Sequence, residues 1–324
     1  LHIIGFEKDL DTFAPYVADT GENVGSRILE TFPQIDVLLT GHQHRLIERM
    51  VGHTAVLQPG NNARMLGQVD LEFEDGKLIE STPKLLYSGD QIDDISIVDM
   101  LKDIQDYTNR FLDEPIGFVP NNDLYIDNPF QARLHKHKIV TFINQVQLEA
   151  SKAMLSATSL GNDVTGFQSE ITIRNVLSTY VYPNTLTVIQ IDGHHLRQAL
   201  EKNAEYFVLK DGNITFNPKY SYPKIEHYNY DMFDGIAYEI RVSNPLGSRI
   251  VSLKYAGRQV KDDDQFTLVL NNYRASGGGE FEMYQKMPIV REIQIDIAEL
   301  MTEYIRRHLV LNIQNIQNIK ITTE

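Results

Sequence analysis

Residues 37–48, VLLTGHQHRLIE, place His42 and His44 at alternate positions behind an apolar run and a glycine. Imidazole suits zinc, manganese, iron or nickel, and two such side chains at a strand end can face one cation. The same spacing also describes two solvated residues on a loop, and spacing alone does not choose between them. A second group lies far downstream. NNYRASGGGEF (271–281) sets Tyr273 just before three glycines, and TYVYPNTLTVIQIDG (179–193) sets Tyr182 on a loop entering a strand. Two aromatic rings closing on a purine make a sequence-tolerant binding device, worth ~1–3 kcal/mol per stacked base. Glycines such as Gly277 and Gly278 let backbone approach a ligand closely. In a chain with 16 Tyr, either ring taken alone reads more readily as a half-buried packing residue. No Gly-Lys-[Ser/Thr] follows the glycines, so they form no phosphate loop of the P-loop kind. Arg274 has the planar fork that matches phosphate oxygens, with a pairing to Glu280 or another carboxylate equally open.

Other polar groups read as structural. His135 and His137 precede a helix as solvated loop residues, His194 and His195 serve a helix's first turn or water, and KDDDQ (261–265) is a turn. Arg133 and Arg174 are read as structural too. The net charge of −14 argues against binding a nucleic acid polymer, which needs a basic face. It leaves small anions open, because a few local charges can overrule a global one. The absence of Cys excludes disulfides, thiolate metal sites and a Cys nucleophile. No apolar run approaches the ~20 residues of a membrane span.

The elements that must hold these residues are legible in outline. Residues 1–90 read as α/β, with a short helix over 21–31, strands over 35–40 and 53–60, and a hairpin over 67–81 about Asp75-Gly76. Ile97, Met100, Leu101, Ile104, Tyr107 and Phe111 keep helical spacing through 91–112, and Pro115 and Gly117 end it, which predicts a domain boundary. Beyond it, helices are predicted over 138–150, 193–207 and about 290–308, and strands over 186–191, 237–242, 249–255 and 266–271. Mixed elements without regular βαβ alternation indicate an α+β fold.

QIDVLLTGHQHRLIE (34–48) and AVLQPGNNARMLGQVDLEF (55–73), preceded by GFEKDL (5–10) and TGEN (20–23), resemble the last part of a metallophosphoesterase domain. That domain belongs to bacterial 5′-nucleotidases and 2′,3′-cyclic-nucleotide 2′-phosphodiesterases. The resemblance implies that His42 and His44 are ligands in a site for two divalent metals, each binding a different ion. It also implies a ligand near His2, with one residue more than the family spacing before Gly5-Phe6-Glu7. Of the family's earlier ligand motifs, a Gly-Asn-His-Glu-like segment occurs nowhere in the 324 residues, and the one Asp-x-His, Asp192-Gly193-His194, lies far downstream at a predicted helix start. A two-metal hydrolase needs both ions, so this chain alone is short of ligands and is expected to be inactive.

PFQARLHKHKIVTFINQVQ (129–147), ITIRNVLSTYVYPNTLTVIQIDG (171–193), YDMFDGIAYEI (230–240) and NNYRASGGGEF resemble the C-terminal, substrate-binding domain of the cyclic-nucleotide phosphodiesterase/3′-nucleotidase branch. By that resemblance Tyr182 and Tyr273 clamp a base and Asn162 lies on a polar loop facing the ligand. Gly279 stands where some 5′-nucleotidases carry an Asp for the ribose. The implied organisation is a metallophosphoesterase remnant at 1–90, a linker helix at 91–114 and a mixed α/β 5′-nucleotidase C-terminal domain at 115–324. The chain is expected to be the C-terminal portion of an exported nucleotide hydrolase, with nucleosides or nucleotides as ligands. A non-catalytic nucleotide-binding module and a 5′-nucleotidase or UDP-sugar hydrolase stay open as alternatives.

Overall fold

A computed structural model describes residues 5–15, 21, 23–222 and 224–324. His2 lies outside them. The chain divides into two compact units, Leu1–Leu101 with Tyr222–Lys224, and Lys102–Ser221 with Ile225–Glu324.

The first unit holds α1 (Gly25–Thr31), β1 (Val37–Leu39), β2 (Leu46–Val51), β3 (Thr54–Pro59), β4 (Met65–Glu74) and β5 (Lys77–Tyr87). β3 is central, parallel to β1 and antiparallel to β2. Phe6, Leu10, Leu38, Ile47 and Val56 form its buried core. Asp75 and Gly76 both take positive φ in the β4–β5 turn, as Asp-Gly hairpin turns require. The division falls inside α2 (Ile95–Leu112), whose apolar residues Met100, Ile104 and Tyr107 are exposed.

The second unit runs β6 (Pro115–Phe118), α3 (Pro129–Leu134), α4 (Lys138–Ser151), β7 (Leu155–Ser159), β8 (Glu170–Thr172), α5 (Ile173–Thr179), β9 (Leu186–Asp192) and α6 (Gly193–Ala204). It continues with β10 (Phe207–Lys210), β11 (Asn213–Phe216), β12 (Asp231–Asp234), β13 (Ile236–Arg241), β14 (Ile250–Tyr255), β15 (Arg258–Gln259) and β16 (Gln265–Asn271). Last come α7 (Asn272–Ala275), β17 (Ile289–Ile293), α8 (Ile297–His308) and β18 (Ile319–Thr322). The main sheet is ordered β12-β7-β16-β9-β17, and a second is ordered β15-β14-β13-β18. The fold is mixed α and β, as the element pattern indicates. α4 buries Ile139, Val140, Phe142, Ile143 and Val146, and Phe142 meets Phe167 and Tyr304 edge-on at 5.5 and 5.8 Å.

Two local expectations need correction. The last helix starts at Ile297 rather than near 290, because Ile289–Ile293 pairs with β9 as an edge strand and Asp296 then caps the helix through Ala298 N–H. His137 is not a solvated loop residue. It caps α4, its Nδ1 accepting from Ile139 N–H at 3.3 Å.

Candidate functional site

Register brings four chain segments to one edge of the five-stranded sheet. β7 is parallel to β16, while β9 and β12 run antiparallel to them, with Leu186 opposite Asn271 and Asp231 opposite Ser159. The segments leaving Ser159 and Asn271, and those entering Leu186 and Asp231, therefore share that edge. They carry Asn162, Tyr273, Tyr182 and Tyr228 respectively.

The two predicted tyrosines sit on segments fastened to each other. Asn272 N–H donates to Thr185 O at 2.9 Å, and Thr185 N–H donates to Asn272 Oδ1 at 3.2 Å. The Tyr182 loop is tightened by Asn184 N–H donating to Tyr182 O at 2.8 Å. Nearby Tyr180 is buried, its hydroxyl pushed up to about 12 by loss of solvent. Tyr273 sits in α7, which Asn271 caps by accepting from Arg274 N–H at 2.7 Å. Both rings are 43 % exposed, open to a ligand yet backed by protein.

The glycines have separate tasks. A Cβ at Gly278 would lie 2.5 Å from the Tyr273 ring, so the ring rests where only glycine fits. Gly277 takes φ of +90°, which side chains seldom adopt. A Cβ at Gly279 would meet Asn229 Oδ1 at 2.2 Å, so this position has no room for an acidic side chain.

Arg274 is placed otherwise than a phosphate ligand would be. It is 1 % exposed. Its Nε donates to Asp231 Oδ2 at 2.8 Å, and its Nη2 to Tyr228 O at 3.1 Å and Asp231 Oδ1 at 3.4 Å. Its Nη1 donates to Asn229 Oδ1 at 3.2 Å and to the Gly278 carbonyl. A guanidinium has five N–H groups, and all are occupied. The carboxylate partner open from sequence is Asp231 and not Glu280, which pairs instead with Lys202 at 2.5 Å. Arg274 is thus a strut joining the glycine loop to the segment that carries Tyr228. Burial pushes the Asp231 carboxyl up against the pull of that guanidinium.

Tyr228 and Glu226 were not found from the sequence. The Tyr228 ring meets Tyr182 edge-on, centroids 5.6 Å apart, and its hydroxyl donates to Glu226 Oε1 at 3.2 Å. Tyr228 and Tyr230 stand two apart in HYNYDMF (227–233), yet Tyr228 is half-buried and Tyr230 fully buried, so no local pattern marks the outward ring. Asn162 Nδ2 donates to Ile225 O at 2.9 Å, while its Oδ1 is buried without a hydrogen-bond partner. Burial first, then the charges of Glu226 and Asp163, push the Tyr182 hydroxyl up.

In the first unit His42 and His44 follow β1 with φ of +65° and +56°, a region non-glycine residues seldom adopt. Gln43 between them holds the loop, accepting from Phe6 N–H at 2.8 Å and donating to Phe6 O at 2.9 Å. Among the described residues no group of three or more His, Cys, Asp or Glu is placed to hold a metal ion. The donors among the described residues are therefore too few for a two-metal centre.

A cleft of about 440 Å³ opens elsewhere in the second unit, lined by residues including Thr141, Asp234, Ala237 and Lys254. None of the candidate residues lines it. No helix among the described residues is long and apolar enough to cross a membrane.

Residues 115–286 match the model of the 5′-nucleotidase C-terminal domain. A 2′,3′-cyclic-nucleotide 2′-phosphodiesterase/3′-nucleotidase of Haemophilus influenzae is 27 % identical, covering 86 % of this chain and 51 % of its own length. The protein of the same name from Salmonella typhimurium is also 27 % identical, over 77 % of this chain and 47 % of its own length. This chain thus spans about half the length of these relatives. The crystal structure of a Staphylococcus aureus protein described as a 5′-nucleotidase superposes with a TM-score of 0.89 at 34 % identity, covering 98 % of this chain and 62 % of that one. With the match running from β6 through the glycine loop, the chain belongs to the 5′-nucleotidase family by its C-terminal domain.

Proposed function

We propose that this chain supplies the base-binding domain of a metal-dependent nucleotide hydrolase that opens 2′,3′-cyclic nucleotides to 3′-nucleotides and then releases nucleosides. The observation that carries this reading is the meeting of the Tyr182 and Tyr273 segments at one sheet edge, each ring half exposed. Two such rings hold a base by stacking, which tolerates any base because every base has a π-face. Held that way, the phosphate is presented to the reacting groups in a fixed orientation, which is a large share of catalysis. Gly277 and Gly278 shape the wall behind Tyr273, Asn162 faces the same site, and Arg274 holds the wall in place.

In this reading residues 1–90 close a metallophosphoesterase domain, 91–114 link, and 115–324 bind substrate. His42 and His44 are two ligands of its metal pair, and the strained backbone at both supports that, since such strain clusters at functional sites. The two ions would polarise the phosphate and activate water when bound. Export to the cell envelope follows from the resemblance, and a chain without Cys is compatible with it.

The substrate class is tested by displacing bound adenosine with 2′,3′-cyclic AMP, 3′-AMP or 5′-AMP. The expected order puts the cyclic and 3′ forms ahead of 5′-AMP. An advantage for 5′-AMP would move the assignment to the 5′-nucleotidase branch.

A further inference from the structure

The glycine loop behind Tyr273 turns left-handed at three of its residues. Gly277, Gly279 and Glu280 take φ of +90°, +71° and +66°. Glycine adopts that region freely, whereas a glutamate there is held against its preference. The inner side of the loop is fixed, since Arg274 Nη1 donates to the Gly278 carbonyl and a Cβ at Gly279 would meet Asn229 Oδ1 at 2.2 Å. Tyr273 depends on the same turn. Its carbonyl accepts from Gly278 N–H at 3.0 Å, and its ring rests against Gly278. On the outer side the Glu280 carboxylate accepts from Lys202 Nζ at 2.5 Å, with Lys219 Nζ 3.7 Å away. Both lysines also pair with Glu205, at 3.0 and 2.6 Å. These four charges tie the loop to the end of α6 and to the turn at Pro218–Tyr220. A lone exposed ion pair contributes little, but a network of several charges can hold a geometry.

We infer that Glu280 and Lys202 are positioning residues of the base clamp: their ion pair holds Glu280 in its left-handed turn and so fixes the wall on which the Tyr273 ring rests. The inference rests on the base clamp proposed above. It needs no contact between either side chain and the ligand. Without the carboxylate anchor, an L-residue at 280 relaxes toward negative φ. The turn that Phe281 N–H closes on Gly277 O at 3.1 Å then loosens, and Tyr273 loses its seat. The network also accounts for a glutamate at a position whose backbone suits glycine, since strain of this kind persists only where the surroundings hold it.

The test titrates the full chain calorimetrically with adenosine, which is uncharged near neutral pH, so a lost lysine cannot act by failing to attract it. Glu280→Ala and Glu280→Gly both delete the carboxylate and differ in how readily the backbone takes positive φ. Glu280→Ala and Lys202→Met are each expected to bind about fivefold more weakly than the parent, the upper end of what an exposed pair contributes. Glu280→Gly is expected to bind more tightly than Glu280→Ala, and to recover most of the loss when added to Lys202→Met. A lysine that merely stabilised α6 would not be rescued by a glycine in a distant loop. Parent affinity in Glu280→Ala, or equal affinities in the alanine and glycine variants, overturns the anchor and leaves the clamp standing. A parent that binds no adenosine overturns the clamp and this inference with it.

Discussion

Gly278 and Arg274 show how little of the candidate site is held by the ligand-facing groups themselves. A methyl at Gly278 would sit 2.5 Å from the Tyr273 ring, which must then leave its resting place. Gly278→Ala is therefore predicted to weaken nucleoside binding by ~1–3 kcal/mol, the scale of one stacking partner, with thermal unfolding little changed because the ring is half exposed. Arg274→Met leaves Asp231 buried without its partner and is predicted to cost ~3–5 kcal/mol in denaturant unfolding. A cost under about 1 kcal/mol would show that the pair is not the strut described. From the residues alone Tyr182 and Tyr273 read as packing side chains, and only the family resemblance singles them out as a pair. Arg274 was legible only as a charge near a loop, since its partners Asp231 and Asn229 lie more than forty residues away in sequence. Tyr228 escaped because nothing local distinguishes it from the packed Tyr230.

At the scale of the element, caps and edges decided where sequence periodicity misled. Ile289, Val290 and Ile293 carry an apolar pattern that fits either a helix start or an edge strand, and pairing with β9 settles it. His137 as a helix cap has a pH signature. Burial, with Lys138 adding to it, lowers its pKa from 6.5, so the neutral form, which alone can accept from Ile139 N–H, is favoured in the fold. A depressed folded-state value means the contribution is present above about 6.5 and lost as pH falls through that lower value. His227, lowered chiefly by burial and hydrogen-bonded to the Tyr206 hydroxyl at 2.8 Å, acts in the same direction. Thermal midpoints are predicted to fall on acidification below about pH 6.5, and His137→Asn, which caps without titrating, to make that fall shallower. An identical pH profile in the variant would remove the cap from the explanation. The exposed face of α2 belongs to neither core, so Ile104→Gln is predicted to change stability by no more than ~0.5 kcal/mol.

For the whole molecule, the two units differ sharply in what holds them. Among the described residues the first unit has a small core cluster of Phe6, Leu10, Leu38, Ile47 and Val56, whereas the second buries a continuous core from Ile116 to Ile319. Amide hydrogens of β1 and β3 are predicted to exchange well before those of β7, β9 and β16, with hydrogen-exchange mass spectrometry as the measurement. The main-sheet order β12-β7-β16-β9-β17 could not be read from sequence, because non-local pairing is fixed by packing and leaves no local pattern. It is that order, nonetheless, which brings four scattered segments to one end of the sheet. The most direct measurement is a calorimetric titration of the chain with adenosine and 3′-AMP in EDTA, beside Tyr182→Ala and Tyr273→Ala. Saturable binding by the parent, weakened ~1–3 kcal/mol in each variant, is the predicted result. A well-folded parent that binds neither compound, or variants that bind as well as the parent, would contradict the base clamp.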